Sequence, residues 1–224
     1  MSRKAVRQPK TVLESPMEQE TGARTAAFRL LITRAEPIEP PTLAEVMGIS
    51  PDRVAALIDR LDHAGRIRRD SAGRLVGSAG LSVTPDRHEI ELEGRQFWTW
   101  CAYDILGIFG ALRASGRALS PSPSDRAVIE VGFVEGRPQP STAVLFRPNA
   151  ELMECCDNVY ADWCPNSNLF ASRKLAEAWA AEHHLSGEVL NLEEAADIAT
   201  QGWEPLTTGL ALKGDRRFHA GRAD

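Results

Sequence analysis

The chain has 224 residues, of which 43% are hydrophobic and 25% are charged, and its net charge is −5 at pH 7. This composition is typical of a globular protein and excludes a disordered or fibrous chain. No apolar run approaches the roughly 20 residues of a membrane-spanning helix, and residues 1–20 lack the apolar segment of a signal peptide. We therefore expect a soluble, cytoplasmic protein without a membrane partner.

The charge is unevenly distributed along the chain. It is +1 over residues 1–22, +2 over residues 23–80 and −8 over residues 81–224. Proteins that bind nucleic acid are usually markedly basic, because neutralising phosphates supplies most of their affinity. None of the three stretches is markedly basic, so we do not expect a nucleic-acid partner.

The first 80 residues predict three helices followed by a hairpin. The helices are expected from Thr25, from Thr42 and after the N-cap Ser50, and the third carries an apolar stripe toward one face. Two short extended pieces at 66–77, joined by a turn, predict the hairpin. This order is typical of a winged helix-turn-helix. The outward side chains of the third helix carry both signs of charge, which favours a packing or solvated surface over a DNA-binding one.

After residue 80 the pattern changes to short strands grouped with helices, which predicts an α+β fold of antiparallel strands flanked by helices. An almost wholly apolar helix is expected at 100–112, and Gly202 is expected to end the last helix. The strands are predicted at 88–93, 127–134 and 142–146, and the remaining helices after Ser172 and at 193–200. The predicted division of the chain is a disordered tail at 1–22, a winged-helix-like module at 23–80, a second domain at 81–210 and a loose tail at 211–224.

Four cysteines are the most informative reactive residues: Cys101, Cys155, Cys156 and Cys164. Without a secretory signal, reduced thiols are the default. A zinc site built from the last three is conceivable, but no histidine pairs with them at a finger-like spacing. The glycine-rich phosphate-binding motifs are absent from the sequence, so nucleotide chemistry is not expected.

Cys101 and Asp104 lie three residues apart in a segment predicted to be helical, which places thiol and carboxyl on one face. Three interpretations stay open from spacing alone: Asp104 caps the helix above a core cysteine, the pair faces a solvent-filled groove by chance, or Asp104 is a functional acid. Cys164 precedes Pro165 in a turn-forming segment, which predicts a thiol on a rigid loop.

Together these segments resemble the organomercurial lyases, also called alkylmercury lyases. Trp100, Cys101 and Asp104 match the family's Trp-Cys-x-x-Asp segment, and Cys164 matches its second cysteine, ahead of Phe-Ala-Ser. The resemblance covers about residues 23–205. It implies that residues 81–210 form a catalytic domain in which Cys101, Asp104 and Cys164 are catalytic and transiently hold the Hg(II) product. It also implies an organomercurial substrate, no organic cofactor, cytosolic thiols for turnover and hand-over of Hg(II) to a mercuric reductase.

The chain departs from the family in one respect. Several members have a further cysteine directly after the loop cysteine, where this chain has Pro165, whereas Cys155 and Cys156 stand earlier. Cys156 is therefore kept as a possible additional mercury ligand, with Cys164 as the primary one.

The expected chemistry explains these residue types. Mercury(II) is a soft cation that thiolates bind in preference to harder ligands. Two thiolates weaken the carbon–mercury bond, and a proton delivered to carbon avoids a free carbanion, so two sulfurs and one acid suffice. An apolar pocket around Phe97, Trp100 and Ile105 is expected to raise the pKa of Asp104.

Two other classes of protein share parts of this pattern. A winged-helix transcriptional regulator with a metal-sensing domain would explain the N-terminal helices, and a metal scavenger would explain the thiols without needing Asp104. Retention on duplex DNA distinguishes the first from a lyase, and release of hydrocarbon distinguishes the second.

Overall fold

The computed structural model describes residues 15–210, which form an α+β fold with two antiparallel sheets, in agreement with the fold class predicted from sequence. The helices are α1 Pro16–Arg34, α2 Pro40–Met47, α3 Pro51–His63, α4 Ala102–Leu112, α5 Ala150–Cys155, α6 Arg173–Glu182 and α7 Leu192–Thr207. The strands are β1 Ile67–Arg69, β2 Leu75–Ser78, β3 Leu81–Ser82, β4 His88–Leu92, β5 Arg95–Thr99, β6 Gly116–Pro121, β7 Val128–Val134, β8 Arg137–Pro138, β9 Val144–Pro148, β10 Asn168–Phe170 and β11 Gly187–Asn191. A π-helical turn, Val159–Trp163, and a 3₁₀ turn, Cys164–Asn166, precede β10.

Helix α1 begins earlier than the sequence predicts. Ser15 Oγ accepts a hydrogen bond from the Glu18 N–H at 3.3 Å, and a Glu18 carboxylate oxygen accepts one from the Ser15 N–H at 2.7 Å. This capping box, with Pro16 in the first turn, starts a helix despite the polar sequence. The predicted tail over 1–22 is therefore wrong for residues 15–22, whereas residues 1–14 and the predicted tail at 211–224 lie outside the described residues.

The other N-terminal elements follow the predicted order. Helix α2 starts at Pro40, two residues before the predicted Thr42, and α3 buries the expected stripe. The four residues of that stripe are Val54, Leu57, Ile58 and Leu61. Strands β1 and β2 form the expected hairpin, whose turn is held by Asp70 through hydrogen bonds from the N–H groups of Ala72 and Arg74, both 3.0 Å.

One sheet connects the N-terminal elements with the rest of the chain. Its strand order is β1-β2-β3-β5-β4-β6-β7-β8, and β2 pairs directly with β3 across Ala79 and Gly80. The second sheet has the order β10-β9-β11. Hydrogen bonding between strands is therefore continuous across the predicted boundary at residue 80.

Helices α4 and α7 pack closely at the centre of the fold. Gly107 and Gly110 of α4 lie against Trp203 and Thr200 of α7, where a side chain on either glycine would overlap its neighbour. The predicted end of the last helix at Gly202 is wrong, since α7 continues to Thr207. Burial of the last turn of α7 outweighs the low helix propensity of Gly202.

Within residues 15–210, no helix combines the length and the apolar character that crossing a membrane requires.

Candidate active site

Three side chains that could bind a soft metal and move a proton meet in the interior. The two Sγ atoms of Cys101 and Cys164 and a carboxylate oxygen of Asp104 all lie within 4.8 Å of one another. All three residues are buried, Cys101 completely. The structure thus brings together the three residues that the sequence singled out, although residues 102–163 separate the two cysteines in the chain.

The start of α4 places the first thiol and the carboxyl. Cys101 is the N-cap residue and Asp104 is the third residue of the helix, where its Oδ2 accepts a hydrogen bond from the Cys101 N–H at 2.9 Å. A carboxylate is favoured there by the helix dipole. A capping role and a role as functional acid are therefore compatible, because the same carboxyl caps the helix and borders both thiols, whereas burial of Cys101 and Asp104 contradicts a solvent-filled groove.

Gly80 makes room for the carboxyl. Its φ is +87°, and a Cβ at this position would overlap the Asp104 side chain. Its carbonyl accepts a hydrogen bond from the Trp100 N–H at 3.0 Å, which fixes the chain just before Cys101. The sequence analysis did not identify Gly80, because nothing in its neighbours distinguishes it from the other glycines.

The second thiol lies on a segment anchored to the N-terminal helices. Asn158 donates a hydrogen bond from Nδ2 to the His63 carbonyl at 2.9 Å, and the Val159 N–H donates to the Ala64 carbonyl at 3.0 Å. Asn158 Oδ1 also accepts from the Ala161 N–H at 2.9 Å and so caps the π-helical turn before Cys164. The position of this thiol therefore depends on the end of α3.

Arg87 joins the two cysteine-bearing segments. Its guanidinium donates to the Trp100 carbonyl at 2.9 Å and to the Tyr160 carbonyl at 3.1 Å. The guanidinium groups of Arg68 and Arg87 also lie 4.0 and 4.3 Å from the centre of the Tyr160 ring, a cation–π arrangement. Arg68 in turn forms a 2.6 Å ion pair with Asp86.

Burial dominates the electrostatics of the site. It raises the pKa of Asp104 to about 7, against the opposing effects of the hydrogen bonds with Cys101 and the charge of Arg87. Burial likewise raises the pKa of the Cys101 thiol well above its usual range, and the hydrogen bond with Cys164 raises it further. A carboxyl with a pKa near neutrality can both accept and donate a proton. The direction of the Asp104 shift agrees with the sequence-based expectation.

A cavity of about 200 Å³ opens next to the thiols and is lined by Asp104 and Cys164. Aromatic rings form much of its wall, and Trp203 is held in place by a 2.8 Å hydrogen bond from its Nε1 to the Ala79 carbonyl. Trp100 is in this wall as expected, whereas Phe97 and Ile105 belong to the main core. The lining residues that the sequence analysis did not single out include Arg24, Arg66, Tyr103, Trp163 and Trp203.

The remaining cysteines lie beside the site. Cys155 is exposed at the end of α5, and Cys156 is half-buried against a cluster that contains Cys101 and Cys164. Within residues 15–210, neither Cys155 nor Cys156 belongs to a group of three or more candidate metal ligands. The geometry therefore gives no support to a zinc site built from Cys155, Cys156 and Cys164.

Comparison with known proteins identifies the family. The family model described as alkylmercury lyase matches residues 81–203, more than half of the chain. The chain belongs to the alkylmercury lyase family. This result confirms the resemblance inferred from the two cysteine segments and does not favour a transcriptional regulator or a scavenger.

Several curated alkylmercury lyases resemble the chain over most of their length. The one from Streptomyces lividans is 28% identical over 185 residues, which cover 80% of this chain and 81% of that protein. The one from Bacillus cereus is 29% identical over 177 residues, or 76% and 78% of the two chains. That from Pseudomonas putida is 28% identical over 163 residues, or 68% and 70%.

A solved structure supports the fold. The crystal structure of the mercury-bound form of MerB2 has a TM-score of 0.73 and 25% sequence identity to this chain. The match covers 86% of this chain and 93% of that one. The similarity therefore includes much of the N-terminal part, which lies outside the segment matched by the alkylmercury lyase family model.

Proposed function

We propose that the protein cleaves carbon–mercury bonds by protonolysis, with Cys101 and Cys164 as mercury ligands and Asp104 as the proton carrier. The observation that carries this proposal is the approach of two buried thiols and one carboxyl within 4.8 Å in a member of the alkylmercury lyase family. Cysteine sulfur suits mercury because both are soft.

The steps balance when the substrate is written as the thiolate adduct R–Hg–SR′. One cysteine thiol displaces R′SH and forms R–Hg–S–Cys. The second thiol gives its proton to the Asp104 carboxylate and binds mercury as a thiolate. Asp104 then protonates the carbon as the carbon–mercury bond breaks, which releases R–H and leaves Hg(II) on both sulfurs.

Removal of the product needs no further chemistry from the chain. Two external thiols, R′SH, take Hg(II) as Hg(SR′)₂ and return protons to both cysteines. The overall reaction is R–Hg–SR′ plus R′SH giving R–H plus Hg(SR′)₂, without an organic cofactor. Cytosolic thiols and a mercuric reductase are the proposed acceptors in a cytoplasmic setting.

The N-terminal elements serve the site in this proposal. We assign them as a winged helix whose role is structural, because residues 63–66 hold the Cys164 segment and line the cavity. Two acidic side chains of α3, Asp59 and Asp62, pair with Arg69 at 2.8 Å instead of leaving that cation free for phosphate. This arrangement favours a role of the N-terminal elements as a wall of the active site over a role in DNA binding.

The experiment is to incubate the protein with phenylmercury and excess thiol and to measure benzene by gas chromatography. The Asp104→Asn variant is nearly isosteric and should keep mercury binding but lose about 10²–10⁴-fold in rate. The Cys164→Ser variant should lose both binding and cleavage, since a hydroxyl is a hard, weak ligand.

The double variant Cys155→Ser with Cys156→Ser is the matched thiol control. It should retain most of the activity, because neither sulfur belongs to the group formed by Cys101, Asp104 and Cys164. Benzene release by Asp104→Asn at close to the parent rate would refute the role assigned to the acid. A large loss in the double variant would instead assign Cys156 to the mercury site.

A further inference from the structure

Two arginines from the N-terminal elements line the same cavity as Asp104 and Cys164. Arg24 lies on α1, and Arg66 lies between α3 and β1. The proposed reaction uses neither, and a carbon–mercury cleavage site has no evident need for two guanidinium groups.

Both arginines lack an acidic partner among the described residues, whereas their neighbours are paired. The Nε atom of Arg24 is buried without a hydrogen-bond partner in residues 15–210. The acidic groups near enough to affect it are Asp104 and Glu20, and Glu20 is engaged by Arg60 at 3.2 Å. By contrast, the arginines of β1 form ion pairs of 2.6 to 2.8 Å with carboxylates.

The arrangement of the two guanidinium groups favours a bound anion. Burial, and then the like charge of Arg66, lower the pKa of Arg24. An anion bound in the cavity would offset both the burial of Arg24 and the like charge of Arg66. Asp104 is a poor candidate for that negative charge, because within residues 15–210 it forms no ion pair with either arginine and because its carboxyl carries the proton in the proposed reaction.

We propose that Arg24 and Arg66 bind the carboxylate of the thiol that carries mercury into and out of the cavity. This inference rests on the proposed function and names its substrate class: the mercury adduct of a small, carboxylate-bearing thiol. Mercury travels between thiolates because it is soft, and a guanidinium binds a carboxylate through two parallel hydrogen bonds. Holding the carboxylate would place the thiol sulfur beside Cys164 for exchange.

The test compares two thiols of similar size and shape, the charged 3-mercaptopropionate and the uncharged 3-mercaptopropionamide. Each supports benzene release from phenylmercury, and the thiol concentration that gives half-maximal turnover is measured. For the parent, the half-maximal concentration of the carboxylate thiol should be about tenfold to a hundredfold lower than that of the amide thiol. One hydrogen bond to a charged group changes affinity by about this factor. Arg24→Gln and Arg66→Gln should each reduce this preference, and the double variant should abolish it.

The ratio of the half-maximal concentrations of the two thiols is determined within each variant. A loss of folded protein affects the measurements with both thiols alike and leaves this ratio unchanged. Arg24→Lys, which keeps the charge but not the paired hydrogen bonds, should retain part of the preference. Arg53→Gln, on the exposed face of α3, removes an equal charge away from the cavity and should leave the ratio unchanged.

A carboxylate could also belong to the organic group of the substrate. A second comparison, with the uncharged thiol, measures benzene release from phenylmercury and benzoate release from 4-carboxyphenylmercury. One outcome would overturn the proposal that the bound carboxylate belongs to the thiol. In that outcome the two thiols are used equally, and the protein prefers the carboxylated substrate in a way that depends on both arginines. Benzene release with equal use of both thiols and no effect of the arginine variants would overturn the anion site alone. Absence of benzene with every thiol would overturn the proposed function, and this inference with it.

Discussion

At the scale of single residues, the site depends on a close approach between the backbone of Gly80 and the Asp104 carboxyl. A left-handed glycine at this point does two things at once. It turns the chain between β2 and β3, and it leaves the space that the carboxyl occupies. A substitution at Gly80 should therefore affect catalysis as well as stability.

We expect Gly80→Ala to lower benzene release by about a hundredfold, because displacement of a catalytic group by about 1 Å has effects of this size. Gly94→Ala is the matched control: its φ of +76° imposes the same backbone strain, about 1–2 kcal/mol, but nothing lies within 4 Å of the added Cβ. Gly80→Ala should lose more stability in urea unfolding than Gly94→Ala, because its Cβ also overlaps the Asp104 side chain, and Gly94→Ala should keep the parent's turnover. Equal turnover in both would show that the close approach is not needed.

The raised pKa of Asp104 predicts a pH-dependent contribution to stability. Folding raises this pKa to about 7 from an ordinary value near 4, so the folded state binds the proton more tightly than the unfolded state. The protonated Asp104 carboxyl therefore makes a favourable contribution to the free energy of unfolding. This contribution is fully present below about pH 4 and is lost as pH rises through about 7. His88 acts in the opposite direction, because burial lowers its pKa to about 3.

Comparison of the parent with Asp104→Asn isolates this effect, since both proteins contain His88. As the pH rises from 4 to 8, the asparagine variant should become progressively more stable relative to the parent. The reason is that the asparagine has no charge to desolvate. Free energies of unfolding in urea at several pH values measure the difference. A difference that stays constant over this range would contradict the raised pKa.

At the scale of elements, the π-helical turn before Cys164 is the least regular part of the site and depends on Asn158. This side chain caps the turn and also binds the end of α3. Asn149 has the same local role at the start of α5, where it accepts a hydrogen bond from the Leu152 N–H at 3.2 Å. Unlike Asn149, Asn158 combines the cap with a hydrogen bond to the end of α3.

We expect Asn149→Ala to cost about 1 kcal/mol for a lost cap, and Asn158→Ala to cost about 1 kcal/mol more, because it also loses the hydrogen bond to His63. Asn158→Ala should in addition lower benzene release by about tenfold, because Cys164 loses its fixed position. Benzene release measured alongside thermal unfolding separates the two effects. An equal loss of activity in both variants would show that the bond to His63 does not position the thiol.

The sequence predicted some elements well and missed others for identifiable reasons. Helix α3 was predictable because its buried residues follow the helical period, and Cys101 and Asp104 were predictable because both belong to one helical turn. Strand β5, Arg95–Thr99, was missed because charged Arg95 and polar Gln96 open it and weaken the alternating pattern. Arg24 and Arg66 could not have been found, because their common cavity forms only when α1 and the end of α3 pack together.

At the scale of the whole molecule, the N-terminal helices and the residues matched by the family model share one core. A single cluster of buried apolar residues extends from Ala27 of α1 to Ala199 of α7, and the large sheet continues from β2 to β3. Parts of a protein that share a core usually unfold together. The predicted boundary at residue 80 therefore separates segments of sequence that are structurally interdependent.

We accordingly expect one cooperative unfolding transition, with calorimetric and van't Hoff enthalpies that agree. Benzene release should be lost over the same temperature range, because residues 63–66 hold part of the site. Differential scanning calorimetry and residual activity after heating provide the measurements. Two resolved transitions would show that the N-terminal elements fold independently.

The separation of the two thiols along the chain has a consequence for the final step of the reaction. In the proposed reaction Hg(II) bridges Cys101 and Cys164, and it would then be a cross-link that closes a loop containing residues 102–163. By analogy with a disulfide, such a tether removes conformations from the unfolded chain and is worth about 4 kcal/mol. The metal-loaded protein is then the most unfolding-resistant species of the cycle, and every turnover ends by cutting this tether. External thiols must therefore bind Hg(II) strongly enough to compete with the two cysteines. The rate and extent of product release then depend on which thiol arrives.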